Sequence, residues 1–138
     1  MKNDWNEYLL ALILFMLCII GNGQTLDQVK KEIEKQGIEY PEIVLAQVIE
    51  ETGWLKCEWC SLRFNNLFGM RLSRFKRPGN INGYILYENW IDSIRAYKKW
   101  QIKHFKGGNY FDFLKRINYA TNPKYIQNLK SHIKKITT

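Results

Sequence analysis

Apolar residues recur along most of the chain at helical spacing, and the exceptions fall in one stretch. Leu26, Val29 and Ile33 lie on one face after Thr25-Leu26-Asp27-Gln28, which has the form of a capping box with Thr25 as N-cap. Gly37 ends that element. Tyr40 is biased away from helix by the proline after it, and Pro41 suits a first helical position. The run IVLAQVIEE then carries apolar residues almost all the way round, which predicts the central, most buried helix. Gly53 closes it and leaves Glu51 on the last turn.

The rhythm changes over residues 70–88. Met70 to Phe75 and Tyr84 to Tyr87 have strand-like alternation or β-formers, and Pro78-Gly79-Asn80 and Asn82-Gly83 between them signal turns. A small β-hairpin lobe carrying Arg71, Arg74, Lys76 and Arg77 is expected there. Helical spacing resumes at Asn89, an N-cap with Asp92 in the first turn, and runs through Ile91, Ile94 and Tyr97 toward His104. Gly107-Gly108 breaks that helix, and Asn109 caps a short one through Phe111, Leu114 and Ile117. Asn122-Pro123 is expected to start a last helix through Tyr125, Ile126, Leu129 and Ile133. The fold class is therefore α+β, mainly α: a helical lobe and a small hairpin lobe with a cleft between them.

Residues 8–20 are an unbroken run of 13 apolar residues, short for a membrane span and suited to the core of a signal peptide. Gly21-Asn22-Gly23 supplies small residues for cleavage. Residues 1–23 are thus expected to be a signal peptide and residues 24–138 one domain, exported to the periplasm or the exterior and in contact with membrane only through the signal segment. Removing residues 1–23 takes Lys2, Asp4 and Glu7 away and raises the net charge from +8 to +9. Such a charge favours anionic partners, with nucleic acid, anionic lipid and acidic wall polymer all eligible. Removal also leaves two cysteines, Cys57 and Cys60. An exported chain suits either a local disulfide or two free thiols there, and no second Cys/His pair exists to complete a zinc site.

The 20 aromatic residues exceed what so small a core needs, so some should line a groove. Within residues 46–71 a helix end delivers Glu51, Trp54 stands beside it, and Asn65-Asn66-Leu67-Phe68-Gly69 returns nearby. Glycoside hydrolysis asks for such parts: a positioned carboxyl group and flat walls for sugar rings. A carboxyl on a final helical turn gains nothing from the helix dipole in its ionised form, which helps a proton donor. Glu50, about 100° further round the helix, is expected to face solvent or pair with a lysine. His104 reads as a bystander near a helix C-terminus, and the Arg/Lys cluster at 71–77 as a solvated hairpin face that could also attract carboxylates of an acidic wall polymer.

Four ordered segments then carry a resemblance. Leu45-Ala46-Gln47 with Glu51-Thr52-Gly53-Trp54, Asn65 to Arg71, Tyr87 with Asp92-Ser93-Ile94 and Tyr97, and Tyr119-Ala120-Thr121-Asn122-Pro123 with Tyr125 resemble the bacterial glucosaminidase family, glycoside hydrolase family 73. The resemblance spans roughly residues 25–135. It implies a lysozyme-like fold and an endo-β-N-acetylglucosaminidase that cleaves the β-1,4 bond after N-acetylglucosamine in peptidoglycan, acting as a monomer without metal or cofactor. Glu51 matches the family's general acid and Tyr119 its signature tyrosine. Substrate contacts are expected from Trp54, Asn66, Phe68, Tyr87, Glu88 and Tyr125.

One departure bears on mechanism. Some relatives place a second carboxylate in the β-lobe, yet no Asp or Glu lies between Glu58 and Glu88. Glu88 and Asp92 are the nearest candidates, and otherwise the substrate's N-acetyl group would serve as internal nucleophile. A lytic transglycosylase, or a wall-binding adaptor that has lost activity, would present the same fold. A basic nucleic-acid binder is the reading least supported, since no segment resembles a known binding module.

Overall fold

The computed structural model describes residues 23–71 and 83–138. Five α-helices occur among them: α1 Leu26–Lys35, α2 Pro41–Thr52, α3 Trp90–His104, α4 Tyr110–Arg116 and α5 Tyr125–Thr137, with a short 3-10 helix Ser61–Phe64 after α2. The capping signals act as expected. Thr25 and Gln28 form the reciprocal capping box of α1, and the Asn89 and Asn109 side chains accept from the backbone N–H three residues on. α5 begins at Tyr125, later than expected, because Asn122-Pro123 closes a turn in which Asn122 accepts the N–H groups of Lys124 and Tyr125.

α2 is the axis of the domain. Ile43 to Ile49 are all buried, and α5 packs along it with α1 on another side. Val29 and Ile33 of α1, Ile94 and Tyr97 of α3, Phe113 and Leu114 of α4, and Leu129 of α5 complete the core. Gln47 is the polar exception on α2, and its burial is tolerated because both ends of its amide are bonded.

The expected hairpin lies largely outside the described residues, which include no strand. At its base, Arg71 and Tyr84 form an isolated antiparallel bridge and Ile85 N–H donates to the Met70 carbonyl at 3.0 Å. The carbonyls of Ile85, Tyr87 and Glu88 accept from asparagine amides. Asn66 Nδ2 donates to Ile85 at 3.0 Å, and Asn65 Nδ2 donates to Tyr87 at 3.0 Å and Glu88 at 3.1 Å. Side-chain amides thus hold this extended segment where the described residues carry no named strand.

Candidate active site

Glu51 is delivered by the last turn of α2. The chain turns sharply after it: Gly53, Trp54 and Leu55 are all left-handed, at φ 54°, 62° and 60°. Glycine takes that conformation freely, whereas tryptophan and leucine do so at a cost near 1–2 kcal/mol each. Thr52 supports the turn. Its hydroxyl donates to the Val48 carbonyl at 2.6 Å and accepts from Leu55 N–H at 3.1 Å. Trp54 is held with its ring edge-on to His132, 5.6 Å between centroids.

The Glu51 carboxyl opens on a cleft of about 840 Å³. Phe68 to Arg71 form one wall, Tyr84 and Ile85 a second, Trp100 and His104 a third, and the segment from Ile117 to Thr121 the fourth. Among the described lining residues Glu51 is the only carboxylate. Gly69 lies directly against it: a Cβ there would fall 2.6 Å from Glu51 Oε2, and its φ of +62° is itself suited to glycine. The turn therefore brings bare backbone up to the acid.

A directed chain of hydrogen bonds reaches Glu51 from behind. Gln101 Nε2 donates to the Tyr110 hydroxyl at 3.1 Å, and the Tyr97 and Tyr110 hydroxyls are 2.6 Å apart. Because Tyr97 spends its proton on Gln47 Oε1, Tyr110 must be the donor of that pair. Gln47 Nε2 then donates to the Tyr125 hydroxyl at 3.2 Å, which leaves the Tyr125 proton for Glu51. Every donor points the same way, toward the carboxyl.

Burial raises the Glu51 pKa from 4.5 to about 7; the Tyr125 hydrogen bond opposes it, the neighbouring Glu50 charge adds to it, and Arg71 opposes it. Loss of hydration outweighs the two stabilising contacts, so the group holds a proton near neutrality. Burial likewise lifts Tyr119 and Tyr125 well above the ordinary phenol value, with the Glu51 charge contributing, so both remain phenols.

The residues expected at the site separate into two sets. Glu51, Phe68 and Tyr119 reach the cleft wall, and Tyr125 stands behind Glu51. Tyr119 donates to the Phe68 carbonyl at 3.0 Å, which ties the fourth wall to the turn under the acid. Phe68 contributes little ring surface, since it is 1% exposed and stacked on Tyr97 at 4.1 Å. Asn66 is fully buried and cannot touch a glycan; its amide donates to the Met70 and Ile85 carbonyls and accepts from Met70 N–H, so it builds the turn. Trp54, Tyr87 and Glu88 are not among the lining residues. Tyr87 stands behind Met70, its hydroxyl 3.5 Å from the sulfur. Asp92, the other candidate second acid, is bound to Asn89 at 2.9 Å and Arg95 at 2.8 Å.

Glu50 corrects another expectation. It is only partly exposed and pairs with α5 rather than with a lysine: Asn128 Nδ2 donates to one oxygen at 2.7 Å and His132 Nε2 lies 2.8 Å from the other. His104, expected as a bystander, joins Trp100 on the cleft wall, with 5.5 Å between the rings. Trp100, Tyr84 and Arg71 were not foreseen as lining residues, although the surplus of aromatics signalled that some rings would serve a groove. Cys57 and Cys60 are free thiols, the second of the two states the sequence allowed.

A partly buried carboxyl at a helix end, opening on a cleft of sugar dimensions, is the arrangement of a glycosidase-type enzyme. The chain belongs to the glucosaminidase family: residues 26–138 match the family described as mannosyl-glycoprotein endo-beta-N-acetylglucosaminidase. No match was found among curated proteins or among solved structures. The family relation makes a glycan the substrate class.

Proposed function

We propose that the chain is an exported peptidoglycan hydrolase that cleaves the β-1,4 bond after N-acetylglucosamine, with Glu51 as general acid. The observation that carries this reading is the state of Glu51, whose desolvated carboxyl keeps its proton to about pH 7 at the wall of a glycan-sized cleft. A group in that state can protonate the leaving glycosidic oxygen as positive charge develops on the sugar.

The charge count favours participation by the substrate's own N-acetyl group. Glu51 is the only acid among the described lining residues, and no Asp or Glu occurs in the sequence between Glu58 and Glu88. With no second carboxylate among the described lining residues, the acetamido oxygen attacks the anomeric carbon as the glycosidic bond breaks and Glu51 protonates the leaving oxygen; the Glu51 carboxylate so formed then takes a proton from the water that opens the cyclic intermediate. Tyr119 borders the reacting centre. Its proton is held by the Phe68 carbonyl, so its oxygen is oriented and able to accept from the acetamido N–H.

The test is digestion of purified peptidoglycan by the protein and by its Glu51→Gln variant, followed by mass spectrometry of the reduced products. Fragments with N-acetylglucosamine at the reducing end, released by the unmodified protein alone, support the proposal. Products ending in 1,6-anhydromuramic acid would replace it with a lytic transglycosylase, and binding without release by either protein would replace it with an adaptor.

A further inference from the structure

Trp59 is 80% exposed, the most exposed large apolar side chain among the described residues. One exposed ring alone implies nothing, but a ring continuous with other aromatic and cationic side chains forms a surface that a ligand can follow. Trp59 is also one end of a ladder. The Arg63 guanidinium lies 5.1 Å from the centre of its ring and 5.8 Å from that of Phe64. Phe64 faces Tyr84 at 6.2 Å, and Arg71 covers Tyr84 at 4.3 Å while its Nη2 donates to the Tyr84 hydroxyl at 3.1 Å. Aromatic rings and guanidinium groups thus form one track from Trp59 to Arg71, and its last two members line the cleft beside Glu51.

The track is held in place. Arg63 and Phe64 belong to the 3-10 helix, whose Phe64 carbonyl accepts from Tyr87 N–H at 2.9 Å, and the Asn65 amide fixes the next residue to the Tyr87 and Glu88 carbonyls. Among the described residues no carboxylate pairs with Arg63. A guanidinium stacked on rings keeps its N–H edges outward, where they suit a carboxylate. The chain as a whole carries a net charge of +8. A polymer longer than the cleft must cross one of its rims, and the track begins at the rim formed by Tyr84 and Arg71.

We propose that the Trp59–Arg63–Phe64–Tyr84–Arg71 ladder extends the cleft into a second binding region for the same glycan strand, with sugar faces on the aromatic rings and the strand's carboxylate substituents on Arg63. The inference rests on the glycan-hydrolase reading above, and it explains why a tryptophan is kept in water outside the cleft. It also makes the enzyme selective for long, carboxylate-bearing strands over short neutral ones.

The test measures binding with Glu51→Gln protein, so that turnover does not enter, and compares it with the same protein carrying Trp59→Ala or Arg63→Ala. Both added positions are exposed, and thermal denaturation confirms that the fold is kept. The probes are long peptidoglycan strands, the same strands with carboxylates amidated, a short neutral N-acetylglucosamine oligomer, and single-stranded DNA. Each substitution is expected to weaken long-strand binding by roughly five- to thirtyfold, the range for a stacked or cation-bearing aromatic contact, while short-oligomer binding is retained. Amidation should remove the Arg63 effect and leave the Trp59 effect. Equal losses on long strands and short oligomer, no loss on long strands, or an equal loss on DNA would each overturn the proposal, the last by reducing the track to unspecific charge. Failure of the unmodified protein to cleave any strand would refute the hydrolase reading, and the binding comparison would still decide on the track.

Discussion

Glu51→Gln separates the cost of the acid from its use. In the native protein burial holds the Glu51 pKa near 7, against 4.5 for the unhindered group, so the folded state binds its proton more tightly than the unfolded one. Stability from this group is complete below about pH 4.5 and is lost as pH rises through 7, because the ionised carboxylate prefers the unfolded chain. At 1.36 kcal/mol per pH unit, the rise from 4.5 to about 7 corresponds to roughly 3 kcal/mol of destabilisation at pH 8. Glutamine has the same shape and no charge to desolvate. The variant should be inactive yet more stable than the parent at pH 8, by up to roughly 3 kcal/mol, and indistinguishable from it at pH 4. Urea unfolding at the two pH values measures this directly, since that difference moves the midpoint by on the order of 1–3 M for a domain of this size. The other carboxylates titrate in both proteins and cancel in the comparison. In parallel, kcat/KM of the parent should be flat below neutrality and fall about tenfold per pH unit above pH 7. An equal stability difference at pH 4 and pH 8 would show that Glu51 is not held protonated by its surroundings, and the general-acid argument would go with it.

Three further perturbations probe the support around the acid. Glu50→Gln removes a charge that keeps the Glu51 proton on, so the alkaline limb of the kcat/KM profile should move to lower pH, by less than burial moves it upward; an unmoved limb would mean that His132 already cancels the Glu50 charge. Gly69→Ala puts a methyl group 2.6 Å from Glu51 Oε2 at a left-handed position, and displacement of the acid should lower kcat on the order of 10²-fold; full activity would deny the close approach. Asn66→Ala strips partners from the Met70 N–H and from the Met70 and Ile85 carbonyls, and should cost about 2–4 kcal/mol in chemical denaturation; a loss below ~1 kcal/mol would indicate that these groups find water or new partners.

What could be read from the sequence was governed by range. Thr25 with Gln28 is a capping pair three residues apart, Asn89 and Asn109 are N-caps, and each acts as expected. The apolar run of α2 and its closure by Gly53 were equally legible, and with them the position of Glu51 on a final turn. Periodicity identifies a buried face, however, and says nothing of which polar group meets another across it. Tyr119 meets the Phe68 carbonyl over 51 residues, and Glu50 meets Asn128 and His132 over 78 and 82. The Asn65-Asn66 pair is readable as turn chemistry, but its bonds to the Ile85, Tyr87 and Glu88 carbonyls are not. Glu50 and Glu51 condense the point. They are adjacent in sequence and share one helix end, and only the 100° between them decides which faces α5 and which faces the cleft. The first finds two partners there. The second finds one hydroxyl and a bare glycine, and burial keeps its proton on to about pH 7. In the proposed mechanism, the pairing of Glu50 with α5 leaves Glu51 as the one of the two carboxyls that serves the cleft.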